Sequence, residues 1–309
     1  MPIGLLSHAE ICAKFDRLVS NGIIAYQPSK PVLVTDQGMI FCFHVVQTLK
    51  SKPQADDKVH VLSSGASESD PHSGTFGPGS DLARDHPDIF ITIVNDTHYL
   101  VHNKFPVFRP MLLLLTVDSY RRQHEALDRE DLDAGWQMIC EMKEEHYVFF
   151  NCGVLAGSSR AHKHLQVIPA PGADDRYGEG FKFFPDYDSV PEEGPPGFVH
   201  LLQQFRDLPG DPVINSELVL EIYMRLLRQA RELLNVQEGD PCPHNFILTK
   251  RWMMVVPRQA KLCHGITANS AAMVGSVYLD DPKQLDAWKE VGPMKVLASL
   301  GLPREQLKN

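Results

Sequence analysis

Two imidazoles and an amide occupy alternate positions in the run His162-Lys163-His164-Leu165-Gln166. On a β-strand alternate side chains project from the same face, so His162, His164 and Gln166 share one face. Lys163, Leu165 and Val167 share the other. The Leu165/Val167 face is the one a sheet buries, which turns the His/His/Gln face toward a polar cleft. A neutral imidazole is nucleophilic near pH 7 and leaves phosphorus readily. Such a face could meet a phosphate group. A His-x-His pair on a strand also holds zinc in many proteins. The amide shifts the balance, because it ligates metal poorly but donates well to a phosphate oxygen.

Just upstream, Gly157-Ser158-Ser159 forms a short loop of small residues. Its backbone N–H groups and two hydroxyls can approach a phosphate without side-chain obstruction. Arg160 and Lys163 add positive charge beside it. A phosphate cradle thus leads directly into the imidazole pair.

The elements that must carry this constellation are legible in outline. Ser7-x-x-Glu10 reads as a capping box ahead of a helix whose apolar face is Ile11, Phe15, Leu18 and Val19, stopped by Asn21-Gly22. Strands are expected at 31–35, 39–46, 89–94, 99–102, 110–117, 147–151 and 165–169, and a hairpin at 246–249 and 252–256. Helices are expected near 120–127, at about 131–145 and 216–234, and over 281–300 with a break at Gly292-Pro293. Residues 63–80, rich in Ser, Gly, Asp and Pro, read as a long mobile loop, and 172–215 as a long excursion over the surface. Strands clustered ahead of helices, without regular alternation, indicate an α+β fold: a mainly antiparallel sheet with flanking helices. Residues 1–309 are expected to form a single catalytic domain. No Gly-x-Gly-x-x-Gly or Walker loop is present, which argues against Rossmann and P-loop nucleotide sites.

The chain has 309 residues, 43% hydrophobic and 22% charged, an ordinary globular composition. A net charge of −9 argues against broad nucleic-acid binding, though not against an anionic small substrate held by a few local cations. The longest apolar run, Met111 to Leu115 and on to Val117, is far too short for a membrane span, and no secretory signal pattern is visible. The cytosol is the expected location, with the nucleus open. Six scattered cysteines include no CxxC pair, so no structural zinc site is indicated and no metal-ligating residues are assigned.

The block Ala156-Gly-Ser-Ser-Arg-Ala-His-Lys-His-Leu-Gln166 resembles the diadenosine tetraphosphate phosphorylases, or ATP adenylyltransferases, of the histidine-triad and galactose-1-phosphate uridylyltransferase superfamily. The likeness extends to Asn103-Lys-Phe-Pro106 and to Asn245 through Arg258, and weakly to Asn269-Ser270 and Gly275–Tyr278. It implies a histidine-triad-like architecture and a covalent adenylyl-histidine on His164. ATP would leave from diadenosine tetraphosphate, and phosphate would then collect the adenylyl group as ADP. His162 is expected to position a phosphate or the motif itself. Gln166 would hydrogen-bond a nonbridging oxygen where histidine-triad hydrolases carry a third His. The resemblance also marks Lys52, Asn103, Lys104, Asn151, Gly157, Ser158, Ser159, Asn269 and Ser270 as substrate contacts. Asn95 and Arg258 are weaker candidates, and Trp252, Val255 and Val256 are expected in the core. Mg2+ is expected to travel with the polyphosphate, and no organic cofactor is implied. The implied ligands are diadenosine polyphosphates, ATP, ADP and phosphate, and exchange of sulfate and ADP through the same intermediate is a conceivable side reaction. The oligomeric state is not legible.

Two positions depart from the family pattern: Met111, where relatives often carry a polar residue, and Arg160, where many carry Gln. Three other readings stay open at this point. They are uridylyl transfer to sugar phosphates, a nucleotide sensor without turnover, and a zinc hydrolase using His162 and His164, for which no third ligand is identifiable.

Overall fold

A computed structural model describes residues 7–52, 76, 79–82, 86–172 and 175–305. Ser7 opens helix α1 (His8–Ser20) through a reciprocal capping box with Glu10, and the helix buries Ile11, Phe15 and Leu18. Two sheets follow. Strands β1 (Val32–Asp36) and β2 (Met39–Val45) form an antiparallel pair joined later by a parallel strand, β11 (Ser276–Leu279).

The larger sheet has eight strands. In chain order they are β3 (Phe90–Val94), β4 (His98–His102), β5 (Leu112–Thr116), β6 (His146–Cys152), β7 (His164–Pro169), β8 (Leu201–Gln204), β9 (His244–Leu248) and β10 (Trp252–Pro257). In space they run β3-β4-β5-β7-β6-β9-β10-β8, each antiparallel to its neighbours. The architecture is α+β with a mainly antiparallel sheet, as the pattern of elements predicts.

Alternation along these strands builds a layer on each side. The back face presents Leu165, Val167, Val148, Phe150, Phe246 and Leu248 to helices α2 (Arg129–Glu141) and α3 (Ser216–Leu234). The front face presents Tyr147, Phe149, Ile168, Ile247, Trp252 and Met254 to Phe41 and Phe43 of the small sheet. Helix α5 (Pro293–Leu300), which follows α4 (Pro282–Val291), adds Met294 and Leu297 to that layer. Each fully buried aliphatic or aromatic side chain contributes roughly 2 kcal/mol. At one end of the same front rows the apolar residues give way to His164, Gln166, Asn151 and Asn245. The register puts Asn151 beside Asn245 and, by extension of the Phe149–Gln166 pair, opposite His164. The site is the polar end of a face whose other end is core.

Two expectations are corrected. The helix expected near 120–127 is absent, because the backbone there is taken up by the motif. Lys163 N–H bonds Arg121 O at 3.1 Å, Gln123 N–H bonds Ala161 O at 2.9 Å, and Gly153 N–H bonds Gln123 O at 3.0 Å. Nor is 172–215 only a surface excursion. Its Pro and Gly content conceals Tyr177, Phe181, Phe183 and Phe198, which are buried in the front core, and it supplies edge strand β8. The expected mobile loop at 63–80 lies outside the described residues apart from 76, 79 and 80. Among the described residues no helix is long and apolar enough to cross a membrane. All six cysteines are unpaired, five of them buried and Cys140 exposed.

Candidate active site

His164 begins β7, and its surroundings fix one ring nitrogen. Nδ1 lies 2.8 Å from the carbonyl oxygen of His162, which only accepts, so Nδ1 carries the proton. Nε2 is left with its lone pair and has no protein partner among the described residues. The Gln123 amide clamps the same residue along its backbone. Its Oε1 accepts from His164 N–H at 2.8 Å, and its Nε2 donates to His164 O at 3.0 Å and to Asn151 O at 3.2 Å. Burial pushes the His164 pKa down to about 4, against the opposing pull of the His162 carbonyl and of Asp81. The ring is neutral at pH 7 and only 7% exposed.

His162 has its ring tied up within the protein. Its ring is fully buried, with Nε2 2.9 Å from Thr116 O and Nδ1 2.7 Å from Ser80 Oγ. Its carbonyl, rather than its imidazole, meets His164.

Lys163, expected at the substrate, faces the helices instead. The alternation that groups His162 with His164 sends Lys163 to the back. There Nζ bonds Asp131 Oδ2 at 2.6 Å and Ala126 O at 2.7 Å. Asp131 also accepts from His98 at 3.1 Å and closes the capping box of α2. Burial alone would raise the Asp131 carboxyl, but His98 and Lys163 hold it well below the usual carboxylate range.

The small-residue loop meets the 268–270 segment. Gly157 has φ +85°, and a Cβ there would stand 2.4 Å from Ala268 O, so only glycine permits the approach. The contact sets Gly157 against Ala268 and Asn269. Ser158 Oγ is buried without a hydrogen-bond partner among the described residues, an orphan that a phosphate oxygen would satisfy. Two cations act on the same neighbourhood. The Lys52 amine is pushed down to about 8 by burial and by the positive charge of Arg160, and Lys52 in turn bears on His164. Like charges gathered at a neutral imidazole define an anion site.

Behind the cleft a buried polar network joins strands from both halves of the chain. Asn151 Oδ1 accepts from Asn245 Nδ2 at 3.0 Å and from Ser270 N–H at 2.8 Å. Asn245 Nδ2 also reaches Ala156 O at 2.8 Å, and its Oδ1 accepts from Arg258 at 2.6 Å. Arg258 is 1% exposed and donates to Ala268 O at 2.9 Å, and burial lowers its pKa to about 9. Ser270 and Arg258 therefore hold the cleft wall, and Asn151 presents only its Nδ2 outward.

A model of the Ap4A phosphorylase N-terminal domain matches residues 8–178, more than half of the sequence. The chain belongs to the Ap4A phosphorylase family. A model of the ATP adenylyltransferase C-terminal domain matches residues 196–303. Among curated proteins, Protein APA1 of Saccharomyces cerevisiae is 31% identical over 179 residues, spanning 53% of this chain and 55% of that protein. Diadenosine 5′,5‴-P1,P4-tetraphosphate phosphorylase 2 of the same yeast is 25% identical over 228 residues, 65% of this chain and 69% of that protein. Among solved structures, yeast Ap4A phosphorylase Apa2 superposes with a TM-score of 0.71 at 22% identity, covering 97% of this chain and 96% of that one. Its complex with Ap4A gives a TM-score of 0.69 over 97% and 99% of the two chains. At that identity the likeness shows the fold.

In this family member the eight-stranded sheet runs without a break across both matched segments, taking β3–β7 from the first and β8–β10 from the second. Asn103 and Lys104 stand at some distance from His164. The register aligns His164 with Leu115 and Tyr99, so Asn103 lies two strands over and four residues on, about 13 Å along the sheet. Asn103 Oδ1 accepts from Phe105 N–H at 2.9 Å. The structure thus sets Asn151 and Gln166 beside His164 by register, brings the charge of Lys52 to bear on His164 and that of Arg160 on Lys52, and places Gly157 against Asn269. It sets Asn103 and Lys104 apart and withdraws Lys163. Three residues that sequence reasoning missed, Gln123, Ser80 and Asp81, hold the motif. Nothing in their local sequence marks them, because each acts on a segment far along the chain.

Proposed function

We propose that this protein is a diadenosine tetraphosphate (Ap4A) phosphorylase working through an adenylyl-histidine on His164. The observation that carries the reading is the bare Nε2 of a neutral, tautomerically fixed imidazole beside a cationic cleft with an unsatisfied serine hydroxyl. Its relatives' names support the substrate: a yeast tetraphosphate phosphorylase is 25% identical, and the yeast enzyme of the same fold was solved with Ap4A bound.

His164 Nε2 attacks the α-phosphorus of one adenosine end, the bond to the β-phosphate bridging oxygen breaks, and ATP leaves. Phosphate oxygen then attacks the same phosphorus, the P–N bond breaks, and ADP leaves. This is a two-step in-line exchange. Lys52, Arg160, Ser158 and the loop amides take the charge on the phosphate oxygens. Gln166 donates to a nonbridging oxygen and cannot supply a proton, which protects the intermediate from hydrolysis. The separation of Asn103 and Lys104 from His164, two strands across and about 13 Å along the strands, gives them a role at a distal part of the dinucleotide.

Among the described residues no group of three His, Cys, Asp or Glu side chains is placed to hold a metal. We read Mg2+ as arriving on the polyphosphate, part of the substrate. The unpaired thiols support a reducing compartment, the cytosol or nucleus. ATP, ADP and phosphate belong to the same proposal.

The test is intact-protein mass spectrometry after mixing with Ap4A without phosphate. The expected result is an acid-labile adduct of adenylyl mass, cleared by phosphate and absent in His164→Ala. Substrate consumption without an adduct and independent of phosphate would overturn the reading.

A further inference from the structure

The chemistry above uses the carbonyl of His162 and leaves its imidazole unexplained. That imidazole is bound on both sides. Thr116 O accepts from Nε2 at 2.9 Å, which makes Nδ1 the acceptor and Ser80 Oγ, at 2.7 Å, the donor. Ser80 Oγ accepts in turn from Leu82 N–H at 3.1 Å. The neighbouring Asp81 carboxylate spans two backbone amides, taking Ala161 N–H at 2.8 Å and His162 N–H at 3.0 Å. Two consecutive residues from 80 positions upstream thus fasten the ring and the amide of one residue. The next peptide is held from the other side, with Thr116 N–H on Lys163 O at 3.2 Å. No rotation of His162 is left, and its carbonyl aims at His164 Nδ1.

The clamp is set apart from the main cores. Leu82 and Phe76 pack with Val101, Leu115 and Ile89 in a small satellite cluster on the His164 side of the sheet. Its loss costs the two large cores nothing directly, so the clamp's effect falls on the motif. Asp81 is also a carboxylate beside an anion site, a placement that opposes polyphosphate binding and needs a reason other than affinity.

We propose that Ser80 and Asp81 are positioning residues: by immobilising His162 they make its carbonyl select the Nδ1–H tautomer of His164 and leave Nε2 bare. The role assigned to His164 rests on the function proposed above.

The test uses the full chain and the variants Asp81→Asn, Ser80→Ala and Ser80→Thr. Nitrogen NMR of labelled histidines, with His164 assigned through His164→Ala, reads the tautomer without any nucleotide. Wild type is expected to show His164 as a single Nδ1–H tautomer, and Asp81→Asn and Ser80→Ala a mixture. The kcat for Ap4A is expected to fall about 10- to 100-fold in those two variants, as when an imidazole loses an orienting partner. KM is expected to stay level or, in Asp81→Asn, to drop as the carboxylate's repulsion goes. Ser80→Thr, which keeps the hydroxyl, restores both readouts. An unchanged tautomer in both variants, or a loss expressed in KM with kcat intact, overturns the proposal. If Asp81→Asn does not fold, Ser80→Ala decides, since it removes one hydroxyl and leaves the amide bonds to Asp81. A wild-type protein that forms no adduct with Ap4A would overturn the function while the NMR still judges the clamp.

Discussion

The His164 imidazole is oriented by the residue two places before it, through a 2.8 Å bond from Nδ1–H to the His162 carbonyl oxygen. The partner is backbone, so it adds no charge that would hold a proton on the ring, and burial lowers the pKa to about 4. An ordinary histidine, near 6.5, would be about tenfold depleted in its neutral form by pH 5.5. The rate of adduct formation in a single turnover is therefore expected to stay level from pH 8 to about 5. A half-maximal rate near pH 6.5 would contradict the desolvated imidazole.

Lys52 bears the opposite signature. Its pKa of about 8 means that the amine loses its proton at mildly basic pH in the free protein, while a bound polyphosphate would restore it. Binding of Ap4A is then expected to take up a proton above pH 8, and affinity to fall from pH 7 to 9. Calorimetry in buffers of different ionisation enthalpy reads that uptake. Lys52→Met should bind more weakly at pH 7 and lose the linkage; uptake that persists in this variant would assign it elsewhere.

Much of this was legible in advance, for reasons that vary by element. The helix over 216–234 and the hairpin at 246–256 carry their own periodicity and caps, and the structure has them within two residues. The His-x-His-x-Gln alternation marks the polar cleft face because period 2 is a local property of a strand. The segment at 120–127 departs from its helical text because its backbone pairs with residues about 40 positions away, and tertiary pairing outweighs local propensity. Ser80 and Asp81 were hidden for the same reason, inside text that reads only as Ser/Gly-rich loop. Lys163 obeys the same period: the alternation that marks the cleft face assigns this residue to the back, where it meets Asp131.

That reassignment has a consequence. Lys163 and Asp131 are 0% and 1% exposed, so removing either partner strands a charge. Asp131→Asn is expected to cost about 3–5 kcal/mol in chemical denaturation. Lys163→Met should lower stability while leaving the KM for Ap4A within about twofold, and Arg160→Met should do the reverse. A large rise in KM in Lys163→Met at unchanged stability would return this lysine to the substrate.

Gly157 tests whether the meeting of the two loops matters for binding. Its φ of +85° is strained for any other residue, and an added Cβ would lie 2.4 Å from Ala268 O and 3.1 Å from Asn269 Cα. Relief requires the 268–270 segment to move, straining the bonds of Ser270 to Asn151. Gly180, with φ +79° and nothing within 4 Å of the added Cβ, supplies the control for the backbone cost alone. Gly180→Ala is expected to cost about 1 kcal/mol and leave kinetics unchanged. Gly157→Ala should cost roughly 3 kcal/mol or more and raise KM at least about tenfold, because strain and a backbone clash combine. Equal costs for the two variants, with KM unmoved in both, would mean that the loop contact contributes nothing to the phosphate cradle.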